Sequence, residues 1–199
     1  NNIDEFLKAF NENKNKIAAV VIETVRNMYP KDEFFKVIKK VCKKEGILLI
    51  FDEITAGFKM NIGGSHLKFN KCKNCECNNE LNCYTPDIAV FAKAMTNGYP
   101  LAAIIGKKEV MSLAEQTFVS SLFWTESIGP AAALASINKI IKEDVPSYTE
   151  KLGKSVQEIW KKAAKLNQLE LKITGPVPQL SMFSFNYSNE LEIKTFFIQ

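Results

Sequence analysis

Arginine and histidine are almost absent: the 199 residues hold one of each, Arg26 and His66. The net charge of +4 is therefore nearly all lysine, spread along the chain as solvated helix faces, which argues against a nucleic-acid patch. One arginine also means that any guanidinium clamp for an amino-acid substrate comes from elsewhere. Long apolar runs are missing too. The run Gly46 to Phe51, for example, stops at Asp52-Glu53, far short of a membrane span. No N-terminal stretch combines positive charge, an apolar core and a small-residue cleavage site, so secretion has no support. Repeats and low-complexity tracts are absent, and 46% hydrophobic with 24% charged residues excludes wholesale disorder. The chain opens Asn1-Asn2-Ile3 and stops at Phe197-Ile198-Gln199. Both ends read as cuts through a longer protein, which we expect to be the functional unit.

Periodicity supplies the elements. Ile3, Phe6, Leu7 and Phe10 mark one helix face, and Asn11 to Lys16 reads as a polar break. Ile17 to Ile22 is a short β-branched run expected to be a strand buried on both faces. Pro30 with Asp32-Glu33 starts a helix that Gly46 ends, and Ile47 to Phe51 is a second strand. Strand, helix, strand in that order is a βαβ unit, so a mainly parallel sheet is expected. Ile88 to Ala92 and Leu101 to Ile105 are further strand candidates. Gly129-Pro130 opens an alanine-rich helix to Lys142, and after Pro146 an amphipathic helix covers Ser147 to Leu166. From Leu169 the pattern alternates, on both sides of Gly175-Pro176-Val177-Pro178, as in an antiparallel sheet. A domain boundary is expected near residue 130. Lys36, Lys39, Lys40, Lys43 and Lys44 read as a solvated helix face, Cys42 as a small core residue and His66 as polar loop surface.

In open parallel sheets, ligands sit beyond the carboxyl ends of the strands. Glu23, Asp52 and Lys93 follow three such ends. A carboxylate there is held rigidly and suits a cationic partner. A partly buried lysine there has a lowered pKa and offers an amine nucleophile suited to Schiff-base formation. Taken by themselves the residues favour a plainer alternative, in which Lys93 starts a loop, Asp52 caps a turn and the two never meet.

The runs Leu48-Leu49-Ile50-Phe51-Asp52-Glu53-Ile54-Thr55-Ala56-Gly57-Phe58-Lys59 and Pro86-Asp87-Ile88-Ala89-Val90-Phe91-Ala92-Lys93-Ala94-Met95-Thr96-Asn97-Gly98-Tyr99-Pro100-Leu101 resemble the class III aminotransferases. Phe123-Trp124-Thr125-Glu126 with Ile128-Gly129-Pro130 resembles their glutamate-1-semialdehyde aminomutase-like branch. The resemblance runs from about Ile17 to Gln199. It implies the α/β type I aminotransferase fold, with 1–129 as part of the large cofactor-binding domain and 130–199 as a linker helix and the start of a small α+β domain. It also implies pyridoxal phosphate (PLP), small-molecule amino donors and acceptors, a homodimer with interfacial active sites, and a cytoplasmic enzyme. Position by position, Lys93 would form the Schiff base and then shuttle the proton, and Asp52 would pair with the pyridine nitrogen. Ile54 would press on the ring, and Thr55 would lie near its phenolic oxygen. Glu23 matches the acid of a Glu-Pro motif whose proline is here Thr24, and is expected to act behind the contacting residues.

Two departures follow from the same comparison. Leu122 stands where the family has a threonine reaching the phosphate across the interface, which leaves Ser121 or Ser120 to take its place. The glycine- and serine-rich phosphate loop and the stacking aromatic lie upstream of this chain. Cys72, Cys75, Cys77 and Cys83 fall in an apparent insertion over 71–83. Their C-x2-C-x-C-x5-C spacing is compatible with zinc or an iron–sulfur cluster, and equally with an open loop of reduced thiols. A non-catalytic relative, with this insertion as a metal-binding interaction module, is the alternative to an enzyme.

Overall fold

The computed structural model describes residues 2–69, 84–120 and 126–198. Helix α1 (Ile3–Asn13) starts at Asn2, whose side chain accepts the Glu5 N–H at 3.2 Å. It runs through the expected polar break and ends in a 3-10 turn at Lys14–Lys16. Strand β1 (Ala19–Glu23) then leads to α2 (Asp32–Glu45), which has acids in its first turn and Lys43 and Lys44 in its last. Gly46, at φ +67°, closes α2 in the left-handed region that glycine adopts without strain, and its N–H reaches the Cys42 carbonyl. The chain returns as β2 (Leu48–Asp52).

Strands β1 and β2 pair in parallel, Ala19 with Leu48 through Glu23 with Asp52. β2 pairs in parallel with β3 (Ile88–Phe91), with Asp52 opposite Val90. β4 (Ala103–Gly106) joins β3 antiparallel, a departure from a wholly parallel sheet. The reason is the connection: the segment from Ala92 to Ala102 holds only a 3-10 turn and is too short for a crossover helix. The sheet order β1-β2-β3-β4 also makes β1 an edge strand among the described residues, with Val21 65% exposed instead of buried on both faces.

The core forms where α1 and α2 cover this sheet. Phe10, Phe35, Ile38 and Cys42 pack with Leu49 and Phe51, each phenylalanine contributing about 2 kcal/mol through burial. Lys39 lies on this buried face and not with the solvated lysines. It is 8% exposed, and its ammonium donates to the Thr85 carbonyl at 2.6 Å. Burial lowers its pKa, partly opposed by nearby Asp87.

A short helix, α3 (Lys108–Met111), precedes α4 (Ile128–Lys142). The Glu126 carboxylate accepts the Ile128 and Gly129 N–H groups and so caps α4. α4 packs Ala133 and Ile137 against Ala89, Phe91 and Met95. In α5 (Val145–Leu166), Pro146 occupies the first turn, where its missing N–H costs nothing. Strands β5 (Leu171–Gly175) and β6 (Met182–Phe185) form the expected antiparallel pair, followed by α6 (Glu190–Ile198). Val177, between them, is fully buried against Val25, Ala56 and Met60, the region just beyond the β1 and β2 ends. Among the described residues no helix is long and apolar enough to cross a membrane.

Candidate active site

The three parallel strands end together. Glu23 and Asp52 are paired in register, and Lys93 follows β3, whose Val90 is the partner of Asp52. Parallel pairing thus brings to one edge residues that the plainer sequence alternative kept apart. Asp52 is half-buried, and its Oδ1 accepts the Ile54 N–H at 2.9 Å, a local turn that fixes the carboxylate's direction. The loop turns back at Gly57, whose N–H donates to the Glu53 carbonyl at 2.9 Å. A Cβ on Gly57 would lie 2.6 Å from that carbonyl oxygen and 2.9 Å from the Phe91 ring.

Lys93 begins a 3-10 turn, Lys93–Met95, with a backbone φ of +48°. That conformation costs a non-glycine residue on the order of 1 kcal/mol, a strain found where surrounding structure holds a side chain for a purpose. The Asn97 N–H donates to the Lys93 carbonyl at 2.9 Å and helps to hold it. The Lys93 ammonium donates to Thr55 Oγ1 at 2.9 Å, so the β3 lysine rests on the loop that leaves Asp52. Lys93 is exposed, not partly buried as the sequence suggested. Ile54 and Thr55 are half-buried on the same loop. The side chain of Glu23 turns to Arg26, whose Nη1 donates to it at 3.0 Å.

Other expected residues fall differently. Ser121 and Leu122, like Cys72, Cys75, Cys77 and Cys83, lie outside the described residues. Among the described residues, no group of three or more His, Cys, Asp or Glu is placed to hold a metal ion. A cavity of about 800 Å³ lies between α4, α5 and the turn after Lys93. Its lining includes Ala94, Thr96 and Asn97 but not Asp52, Thr55 or Lys93, so it is separate from the strand-end site.

Sequence reasoning missed the group directly behind the site. Glu53 is fully buried, and His66, expected at the surface, is buried against it with Nδ1 2.7 Å from Oε1. Thr24 and Ser65 complete the group. Glu53 beside Asp52 and Ser65-His66 after Gly63-Gly64 were visible, but no spacing rule connects them.

The sequence model of the family described as aminotransferase class-III matches residues 1–176. The chain belongs to that family. Among similar curated proteins is a 3-aminobutyryl-CoA aminotransferase of Cloacimonas acidaminovorans, 31% identical over 171 residues, covering 80% of this chain and 38% of the relative. A glutamate-1-semialdehyde 2,1-aminomutase of Caldicellulosiruptor saccharolyticus is 31% identical over 191 residues, covering 92% of this chain and 42% of the relative. The chain thus spans about two fifths of the length of these curated relatives. The PLP internal aldimine form of the Sphingopyxis sp. MTA144 FumI protein superposes with a TM-score of 0.78 at 24% identity, over 92% of this chain and 42% of that one. A structure described as a transaminase with PLP bound superposes with a TM-score of 0.72 at 18% identity, over 93% of this chain and 42% of that one, and the two likenesses show the shared fold, an α/β sheet followed by an antiparallel pair.

Proposed function

We propose that the whole protein carries out PLP-dependent amino-group transfer, as an aminotransferase or a glutamate-1-semialdehyde 2,1-aminomutase-like enzyme, with Lys93 as its reactive amine. The observation that carries the reading is the hydrogen bond from the Lys93 ammonium to Thr55, which joins the end of β3 to the loop leaving Asp52. An exposed primary amine, a half-buried carboxylate and a hydroxyl at one strand-end edge form a donor set that fits PLP.

Bound PLP supplies an aldehyde that condenses with amines and a ring that accepts the electron pair left at the substrate carbon. Asp52 would hold a proton at the pyridine nitrogen, which strengthens that ring as an acceptor. Lys93 would hold the cofactor through Nζ, and its free amine would move a proton at the substrate carbon as general base and acid. Ile54 would cover one ring face and exclude water from it, and Thr55 would lie near the phenolic oxygen. In this reading Ser121, which lies outside the described residues, would take the phosphate contact that Leu122 cannot make, across the interface of a homodimer. The reading includes small-molecule amino donors and acceptors, a cytoplasmic setting, a large-domain part over 1–129 and the start of a small domain over 130–199.

The test is an absorption spectrum of the full-length protein dialysed after incubation with PLP, wild type beside Lys93→Ala. A retained visible band in wild type, lost in the variant, is expected; a folded wild-type protein without a band overturns the reading. We also propose the four insertion cysteines, Cys72, Cys75, Cys77 and Cys83, as a separate zinc or iron–sulfur site, tested by elemental analysis of the full-length protein.

A further inference from the structure

We infer that the buried carboxylate of Glu53, held by Thr24, Ser65 and His66, is a positioning device that fixes the direction of Asp52 toward the bound cofactor; this rests on the PLP reading above. Successive residues at a strand end point to opposite sides. Asp52 therefore meets the strand-end crevice while Glu53 enters the interior, where it is fully buried.

Four donors satisfy that carboxylate. The Ser65 N–H reaches Oε2 at 2.8 Å. The His66 N–H, His66 Nδ1 and Thr24 Oγ1 reach Oε1 at 3.0, 2.7 and 3.1 Å. Thr24 Oγ1 and Ser65 Oγ lie 2.6 Å apart. Thr24 has one hydroxyl proton and directs it at Glu53, so the Ser65 hydroxyl donates to Thr24. An ionised carboxylate only accepts, so the His66 Nδ1 carries the proton in that contact. Burial raises the Glu53 pKa, but the bonds from His66 and Ser65 outweigh it and hold the group below the ordinary carboxylate range.

The backbone of the same residue is tied as firmly. The Glu53 N–H donates to the Val90 carbonyl of β3 at 2.9 Å, and its carbonyl accepts the Gly57 N–H. One residue therefore joins the ends of β1, β2 and β3 and the 64–66 segment, and the peptide between Asp52 and Glu53 cannot turn without breaking a buried, charged network. Gly64 completes the cradle: a Cβ there would lie 2.3 Å from His66 Cε1 and 3.3 Å from the Glu53 carboxylate. Thr24 stands where the resemblance puts proline, which has no hydroxyl and could not complete this network.

The experiment compares full-length wild type, His66→Ala, His66→Gln, Thr24→Val and Lys93→Ala. Three quantities are read: PLP dissociation constant by equilibrium dialysis, the position and pH response of the bound-cofactor band, and melting temperature of the cofactor-free form. His66→Ala and Thr24→Val are expected to weaken PLP binding roughly tenfold and to shift the band. His66→Gln, which can still donate to Glu53, recovers most of that loss. Thr24→Val removes one hydroxyl at nearly constant shape and is the decisive variant if His66→Ala does not fold. Folded variants with lower melting temperatures but wild-type dissociation constants and spectra would show a merely structural cluster and overturn the inference. Wild type without PLP binding overturns the cofactor reading itself. A band that Lys93→Ala loses, and that His66→Ala and Thr24→Val leave unshifted with wild-type dissociation constants, overturns positioning alone.

Discussion

Gly153 of α5 lies against the backbone of Pro178: a Cβ at position 153 would sit 2.0 Å from the proline carbonyl oxygen and 2.4 Å from its carbonyl carbon. Pro178 belongs to the turn between β5 and β6, adjoining buried Val177. The glycine, otherwise unfavourable in mid-helix by about 1 kcal/mol, is what lets this turn close on α5. Gly153→Ala is expected to lose about 3 kcal/mol, because backbone and not a flexible side chain must move. Thermal unfolding should show a melting point lower by roughly 5–10 °C.

Asp52→Asn keeps the shape of the half-buried side chain and its contact with the Ile54 N–H, but removes the charge. PLP should still bind. Amino-group transfer should fall by about 10²-fold, the scale of losing one preorganised electrostatic contact. Stopped-flow half-reactions with PLP-loaded protein check this, and unchanged rates would remove Asp52 from its proposed role.

Lys68 and Glu150 connect the segment after His66 to α5 at 2.9 Å, and Lys154 reaches the other Glu150 oxygen at 2.8 Å. These bonds, Lys154 first, bring the Glu150 pKa from 4.5 down to about 2. A depressed carboxylate pKa stabilises the fold fully above the ordinary value, and the effect is lost as pH falls from about 4.5 through about 2. Glu150 is 32% exposed, so screening limits the contribution to about 0.5 kcal/mol. The denaturant-midpoint gap between wild type and Glu150→Gln should be present at pH 7 and should narrow by about pH 3. Added salt should shrink it at either pH.

Gly57→Ala tests the loop itself. The new methyl meets the Glu53 carbonyl and the Phe91 ring together, so the loop carrying Ile54 and Thr55 must shift. A loss of about 2 kcal/mol is expected from overpacking, together with a weaker PLP dissociation constant by dialysis.

How much of this was legible differs by element. Asp52 and Lys93 could be picked out because each follows a short apolar run, and a parallel sheet gives that position a meaning. The edge position of β1 and the direction of β4 were not read, since strand propensity carries no information about neighbours; the short connection after Phe91 was the available clue. Lys39 was placed with its exposed neighbours because its charge outweighed its position in the Phe35, Ile38, Cys42 stripe. Glu53 and His66 were missed for a related reason: their meeting depends on a loop path after Gly57 that no periodicity describes.

The pairings that bring Glu23, Asp52 and Lys93 together join Ala19 to Leu48 and Ile50 to Ile88, each across a long intervening stretch. Closing such loops costs chain entropy before any contact rewards it, whereas α2 and α5 are built from near neighbours. During refolding, the helices are therefore expected to form ahead of the strand-end edge. A protein that has regained its helical signal is then expected to pass through an interval in which Lys93 has no Thr55 beside it. The contact between Lys93 and Thr55 is therefore expected among the last to form.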